Sequence, residues 1–362
     1  MEPISRQRYE FLDGMRGVAA LYVLLFHIGT RFLDQYIVEH GYLAVDFFFI
    51  LSGFVLTDAY QQKLETSLSF TAFVKVRLLR LLPMSILGVL VGAAYLLMRW
   101  VVEPGRSDPL PAVLAAVAVN LLLLPKLWLA RSTGGELFPN NGALWSLFAE
   151  VAVNLVWALT LKRVPLVLGA LIWAASGSLL FVLALHHGSL DLGWSLATIS
   201  GGLCRATFGF LTGVALYRLR GAIGLQGAWT PWAALALLSL SLCMPIRSIW
   251  WDLACIYLFL PASLALSVNA DAAFKFPGRR QLGEISYPLY AIHLPILMWL
   301  SGAQKQWLPH APVTAAVIPI AIGIVGLAYL VQRFYDEPLR QGLRPVLLRN
   351  RPAAAGSTPG ST

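Results

Sequence analysis

The chain has 362 residues, 58% of them hydrophobic and only 12% charged, with a formal net charge of +9 and a mean hydropathy of +0.69. A soluble protein of this length needs far more charge to cover its surface, so the composition excludes an ordinary globular domain and predicts a polytopic membrane protein. The basic residues cluster between apolar spans, where they report topology and lipid contact; no nucleic-acid-binding arrangement is present.

Eleven apolar stretches follow one another: 16–33, 42–59, 80–98, 110–125, 143–161, 164–185, 203–217, 229–246, 250–268, 283–301 and 312–332. The predicted fold class is therefore all-α, a helical membrane bundle without internal repeats. Residues 1–345 form one integral membrane domain, and the Pro/Gly-rich tail 346–362 is expected to be disordered. The first stretch ends in Arg31 without a small-residue cleavage pattern, so it reads as a retained helix and not as a signal peptide. Cys204, Cys243 and Cys255 lie in apolar segments without metal-ligand or disulfide spacing and read as small core residues; the adjacent His186-His187 reads as interfacial, and no metal site is expected.

Charge fixes the number of crossings. Arg6, Arg8 and Arg16 put the N-terminus in the cytoplasm, and the 34–41 connection, with Asp34 and Glu39, goes outside. Lys63, Lys75, Arg77 and Arg80 return the chain inside, and Arg333, Arg340, Arg344, Arg349 and Arg351 put the C-terminus there too. Two cytoplasmic ends require an even number of spans. The stretch 110–125, broken by Pro109, Pro111 and Pro125, is the one expected not to cross. It reads as re-entrant, which a membrane protein tolerates only where the backbone lines a protein cavity. About ten transmembrane helices result.

Several spans carry polar groups at depth. Arg16 and His27 are eleven residues apart, about three turns plus 20°, so both sit on one helix face roughly 16 Å apart. That places His27 near the centre of the hydrocarbon core, as a functional group facing a cavity or as structural glue between helices. Asp46 lies about a turn into the second span and needs a cation, either His27 or an external arginine; Ser52-Gly53 lets a neighbouring backbone come close. Arg77 and Arg80, at i and i+3, share a face at the cytoplasmic boundary, suited to phosphates or to anionic lipid. Glu150 follows Ser146 by one turn and is either the acid/base partner of His27 or a local cap. Tyr287, Tyr290 and His293 lie along one side of the tenth span, with Pro288 and Pro295, and read as cavity lining first.

These blocks, in order, resemble the membrane-bound acyltransferase-3 family, bacterial enzymes that O-acylate cell-surface glycans. The likeness rests on Arg16-x10-His27, on the Val45-Asp46-Phe47-Phe48-Phe49 to Ser52-Gly53-Phe54 run, on Arg77-x2-Arg80, and on Ser146-Leu147-Phe148-Ala149-Glu150. Ile285-Ser286-Tyr287 to His293 and the closing Tyr335-Asp336-Glu337-Pro338 extend it to residues 10–338. The resemblance implies acyl transfer in the bacterial cytoplasmic (inner) membrane, from cytoplasmic acyl-CoA, with acetyl expected, to an extracytoplasmic glycan or glycolipid hydroxyl. It implies His27 as general base or transient acyl carrier; independently of the resemblance, Glu150 or Asp46 bonded to the other ring nitrogen would fix its tautomer. Arg16, Arg77 and Arg80 would hold the donor, and Ser52, Ser146, Tyr287, Tyr290 and His293 would line the substrate cavity. Without the fused extracytoplasmic domain of some relatives, the chain is expected to finish the transfer itself or to pass the acyl group to a separate protein. The rival is a proton-coupled transporter or flippase using an Arg16/His27/Asp46/Glu150 relay, against which stands the lack of inverted repeats.

Overall fold

The computed structural model describes residues 9–160, 165–223, 227–268, 270, 277–308 and 313–348. The elements are α1 (Glu10–Ile28), α2 (Ala44–Thr66), α3 (Phe70–Val102), α4 (Leu110–Leu121), α5 (Leu144–Thr160), α6 (Leu166–His187) and α7 (Ile199–Leu219). They continue as α8 (Thr230–Cys243), α9 (Ile249–Ala254), α10 (Leu260–Ser267), α11 (Arg279–Trp307), α12 (Val317–Val331) and α13 (Glu337–Leu348). Single π-helical turns, Gly29–Leu33, Cys255–Phe259 and Gln332–Asp336, extend α1, join α9 to α10 and join α12 to α13. The described residues contain no β-strand, only two isolated bridges.

Seven of the described helical segments are long and apolar enough to cross a membrane by length and composition. The 29-residue α11 and the shorter apolar α5 and α8 bring the candidate crossings among the described residues to ten. The stretch at 110–125, expected not to cross, holds the shortest of the three shorter apolar helices. Twelve residues of α4 rise only about 18 Å, short of a hydrocarbon core about 30 Å thick. Leu123 then turns back in the left-handed region, φ 57°. The irregular backbone that follows is paired within the protein: Lys126 N–H donates to the Leu137 carbonyl, Leu137 N–H to Trp194 and Leu196 N–H to Gly135. These bonds tie the connection to the protein at residues 126, 135 and 137.

Two helix pairs set the polar residues. α1 and α11 run parallel from the basic face and touch at glycine: a Cβ on Gly17 would strike the Leu282 backbone, and one on Gly283 would strike Asp13. α2 and α7 run parallel from the opposite face, with Gly53 against the Phe210 carbonyl and Gly213 against that of Ile50. The close approach expected of Ser52-Gly53 is thus made, to α7. By contrast α6 and α12 expose Leu171, Val182, Ile318 and Ile322 among others, an apolar surface suited to lipid.

Two expectations need adjusting. Cys243 is exposed and Cys204 half-buried, so only Cys255 is a core residue. The predicted tail begins three residues inside α13, which runs to Leu348; residues 349–362 lie outside those described.

Candidate active site

Two cavities lie between α1, α2, α3, α5 and α11. The outer one, about 580 Å³, has His27 in its wall and is furnished by Tyr36, Tyr42, Tyr95, Trp145 and Trp194. Glu136 and Asp191 enter it from the non-helical connections 122–143 and 188–198, beside Arg31. Both carboxylates face the cavity, yet the protein packed around them pushes each pKa upward, opposed by Arg31 at Glu136 and by Arg205 at Asp191. The inner cavity, about 110 Å³, is lined by Arg16, Ser52, Arg77, Arg80, Ser146 and Glu150, with Tyr287. Val45 and Tyr290 line both. The Tyr290 hydroxyl lies 2.6 Å from Ser146 Oγ and donates to the Ala143 carbonyl at 3.2 Å, so a hydroxyl pair stands between the two spaces.

The structure redistributes the partners that the sequence proposed. Of the two partners expected for Asp46, an arginine is the one realised and His27 is not: Asp46 accepts from Arg205 Nε at 3.1 Å and Nη2 at 2.7 Å, a bidentate pair with both residues buried. Arg205 also donates to the carbonyls of Leu192 (2.7 Å) and Tyr42 (2.9 Å) and lies over the Trp145 ring. Asp46 lines neither cavity. Held by Arg205, it stands behind the outer wall and away from the His27 ring it was expected to orient. Glu150 likewise does not pair with His27. It accepts from Arg77 Nη2 at 2.9 Å and from Ser52 Oγ at 2.7 Å, at the inner cavity.

The residue beside His27 is His293, with ring centroids 5.2 Å apart. His293 is 1% exposed, so it stands behind His27 and does not line a cavity as expected. Its Nδ1 faces the Tyr290 and Leu289 carbonyls at 2.8 and 3.2 Å, which requires the proton on Nδ1. Its Nε2 is buried without a hydrogen-bond partner.

The three predicted donor-binding arginines also part company. Arg16 is spent on Ser286 Oγ (2.7 Å), the Gly283 carbonyl (2.6 Å) and Asp13 (3.3 Å). Arg77 is 4% exposed and held by Glu150. Arg80 is exposed and, among the described residues, makes no ion pair. Tyr287 donates to the Leu81 carbonyl and lies 3.5 Å from Ser85 Oγ, holding α11 against α3 while forming cavity wall.

Sequence reasoning missed Arg205, whose signal was available: a lone arginine in an apolar, glycine-rich span is as costly as Asp46 and must face it or something like it. It also missed Tyr42, His40 and Asp252, which bond to one another at the outer rim: Tyr42 donates to Asp252 Oδ2 at 2.6 Å and His40 Nδ1 lies 2.7 Å from Oδ1. Glu136, Asp191 and Trp194 sit on connections without periodicity and gave no signal.

A helical bundle of membrane-length apolar helices, with two cavities separated by the Tyr290–Ser146 hydroxyl pair, defines a polytopic integral membrane protein. The chain belongs to the acyltransferase-3 family, whose model, described as an acyltransferase domain, matches residues 9–333. A Rhizobium radiobacter protein named for its place in the picA locus is 39% identical over 186 residues, covering 49% of this chain and 95% of that protein. The acyltransferase MdmB of Streptomyces mycarofaciens is 26% identical over 392 residues, covering 98% of this chain and 96% of MdmB. A Staphylococcus aureus protein provisionally named an O-acetyltransferase is 23% identical over 370 residues, 91% of this chain and 57% of the longer relative. No solved structure matches. The chain is thus a multi-pass membrane acyltransferase. The relay that a transporter would need is not one cluster: Asp46 is engaged by Arg205 and Glu150 by Arg77.

Proposed function

We propose that the protein sits in a bacterial cytoplasmic membrane and moves an acyl group from cytoplasmic acyl-CoA to a hydroxyl of a glycan or glycolipid on the other side. The observation that carries this is the position of His27 in the wall of an outer cavity, with only the Tyr290 layer between that cavity and a narrow one opening among arginines. The pantetheine arm is thin enough for the inner space, whereas the charged nucleotide cannot enter hydrocarbon. The outer cavity is wide and aromatic, with two carboxylates, the chemistry that stacks on sugar faces and accepts from sugar hydroxyls. The name of the staphylococcal relative supports oxygen as the accepting atom and acetyl as the group carried.

In this reading the acceptor hydroxyl loses its proton to the His27 ring as its oxygen attacks the thioester carbonyl. The C–S bond breaks, and the thiolate leaves with the proton that His27 returns. His293, with Nδ1–H fixed on backbone carbonyls, keeps an unpartnered Nε2 and a ring 5.2 Å from that of His27, so in this reading it would take the orienting role that a carboxylate was expected to fill. Tyr290 must swing off Ser146 for the thioester to reach His27. A second reading makes His27 itself the transient acyl carrier, which the same separation of cavities favours, because donor and acceptor then never need to meet. Purified protein, given labelled acetyl-CoA and a candidate glycan, should release free CoA and load label on the glycan. Rapid acid quench without acceptor distinguishes the two routes, since only the carrier route leaves label on His27. Absence of donor cleavage with every glycan offered, in protein that is folded and membrane-inserted, would overturn the proposal.

A further inference from the structure

The donor's nucleotide end carries three phosphate groups, and the inner cavity leaves one free guanidinium, that of Arg80, to meet them. Arg77 is buried against Glu150 and Arg16 is tied to α11. Arg80 lies on a seam, because it also lines a second space of about 320 Å³ on the basic face, between α3 and α13. There it is joined by Arg340 and Arg344, which are i and i+4 on α13 and so project from one side of that helix. Arg340 is held by Asp336 at 2.6 Å, an acid 1% exposed in the π-helical turn that leads into α13. Arg344 is exposed and makes no ion pair among the described residues. The one acid in the wall, Glu337, is engaged by Arg333 at 3.3 Å and by the Gln341 amide at 3.3 Å. The Tyr335 hydroxyl donates to the Pro83 carbonyl at 3.2 Å, fixing the turn against α3.

We infer that Arg80, Arg340 and Arg344 form a phosphate site for the nucleotide end of the donor, outside the membrane and continuous through Arg80 with the cavity that takes the arm. This rests on the acyl-CoA reading above and adds to it a site that neither the Arg77-x2-Arg80 spacing nor the family match supplies. Three guanidiniums around one groove suit phosphate because each offers paired donors as well as charge. The same chemistry would serve the headgroup of an anionic phospholipid, and the test separates the two.

The full-length protein in phosphatidylcholine nanodiscs should be titrated with CoA, with dephospho-CoA, which lacks the 3′-phosphate, and with pantetheine. Wild type should prefer CoA to dephospho-CoA. Arg344→Glu should weaken CoA about tenfold, erase that preference and leave pantetheine where it was, whereas Arg344→Lys should keep part of the preference. Arg344 is exposed, so the variant should fold, and its elution as a single species checks this. If Arg344→Glu binds CoA with the preference intact, the groove is not the nucleotide seat, even though the donor reading stands. Wild type that binds neither CoA nor acetyl-CoA would instead remove the donor reading itself. In nanodiscs containing phosphatidylglycerol, a variant that loses only retained phosphatidylglycerol, read by native mass spectrometry, would assign the groove to lipid and overturn the inference.

Discussion

The two cavities differ as two solvents do. The outer one is wide, walled partly by irregular chain, and furnished with aromatic rings and carboxylates; the inner one is narrow, walled by helices, and holds the pair of buried Arg77 and half-buried Glu150. The first suits a bulky polar ligand that must be stripped of water and gripped from several sides. The second suits a thin flexible one that needs only a channel and a charged mouth. On the proposed reading the difference divides the labour: His27, the proposed base, lines the outer space, and Arg80, proposed to meet phosphate, lines the inner one.

The sharpest way to break this division is at His27. His27→Ala should cut acyl transfer by about 10²–10⁴-fold, the usual worth of a placed base, or abolish it if the ring carries the acyl group. The protein should stay folded, because the half-buried ring borders a cavity. Unchanged label transfer would move the chemistry elsewhere. Next in size is the prop of the outer wall. Arg205→Ala leaves Asp46 buried and unpaired, which should cost about 3–5 kcal/mol and show as a lowered unfolding temperature in detergent. The paired change Arg205→Met with Asp46→Leu should recover much of that loss, because it removes both charges together.

His293 sharpens the comparison by separating position from packing. His293→Asn keeps a donor for the Tyr290 carbonyl but loses the group at Nε2, and should lower kcat roughly ten- to hundredfold with donor KM unmoved. His293→Gln, whose amide reaches further, should restore part of the rate; equal loss in both variants would mark His293 as packing only. The smallest effect concerns the re-entrant rim. Burial works against ionised Asp108, but hydrogen bonds from Ser132 N–H, Thr133 Oγ1 and Thr133 N–H, with Lys126 nearby, outweigh it and hold the pKa below its ordinary value. A carboxyl depressed by folding stabilises above the ordinary carboxylate range and loses that stabilisation as pH falls through the folded value. Hydrogen exchange at 131–134 should therefore accelerate on acidification, beyond its intrinsic pH dependence, and Asp108→Asn should be fast throughout.

Much of the architecture was legible before any coordinates. Hydropathy located the spans, arginine counts fixed their parity, and three prolines marked the one stretch that turns back. Which polar residues belong at depth was legible too, because Arg16, His27, Asp46, Arg77 and Glu150 are conspicuous in apolar surroundings. Who pairs with whom was not. Asp46 meets Arg205 across 159 positions and His27 meets His293 across two helices in parallel register, and helical periodicity along one segment says nothing about the rotation of another. The outer walls were invisible for a different reason. Glu136, Asp191 and Trp194 ride on connections held by backbone bonds between 135–137 and 194–196, which leave no trace in hydropathy.

The Tyr290–Ser146 contact carries an implication for the cell as a whole. A shaft wet from end to end would let protons run down their gradient, and a bacterium with many copies would bleed its proton-motive force through them. On the proposed reading, the hydroxyl pair would work like the inner door of an airlock, letting an acyl group change sides in a state where bulk water does not follow.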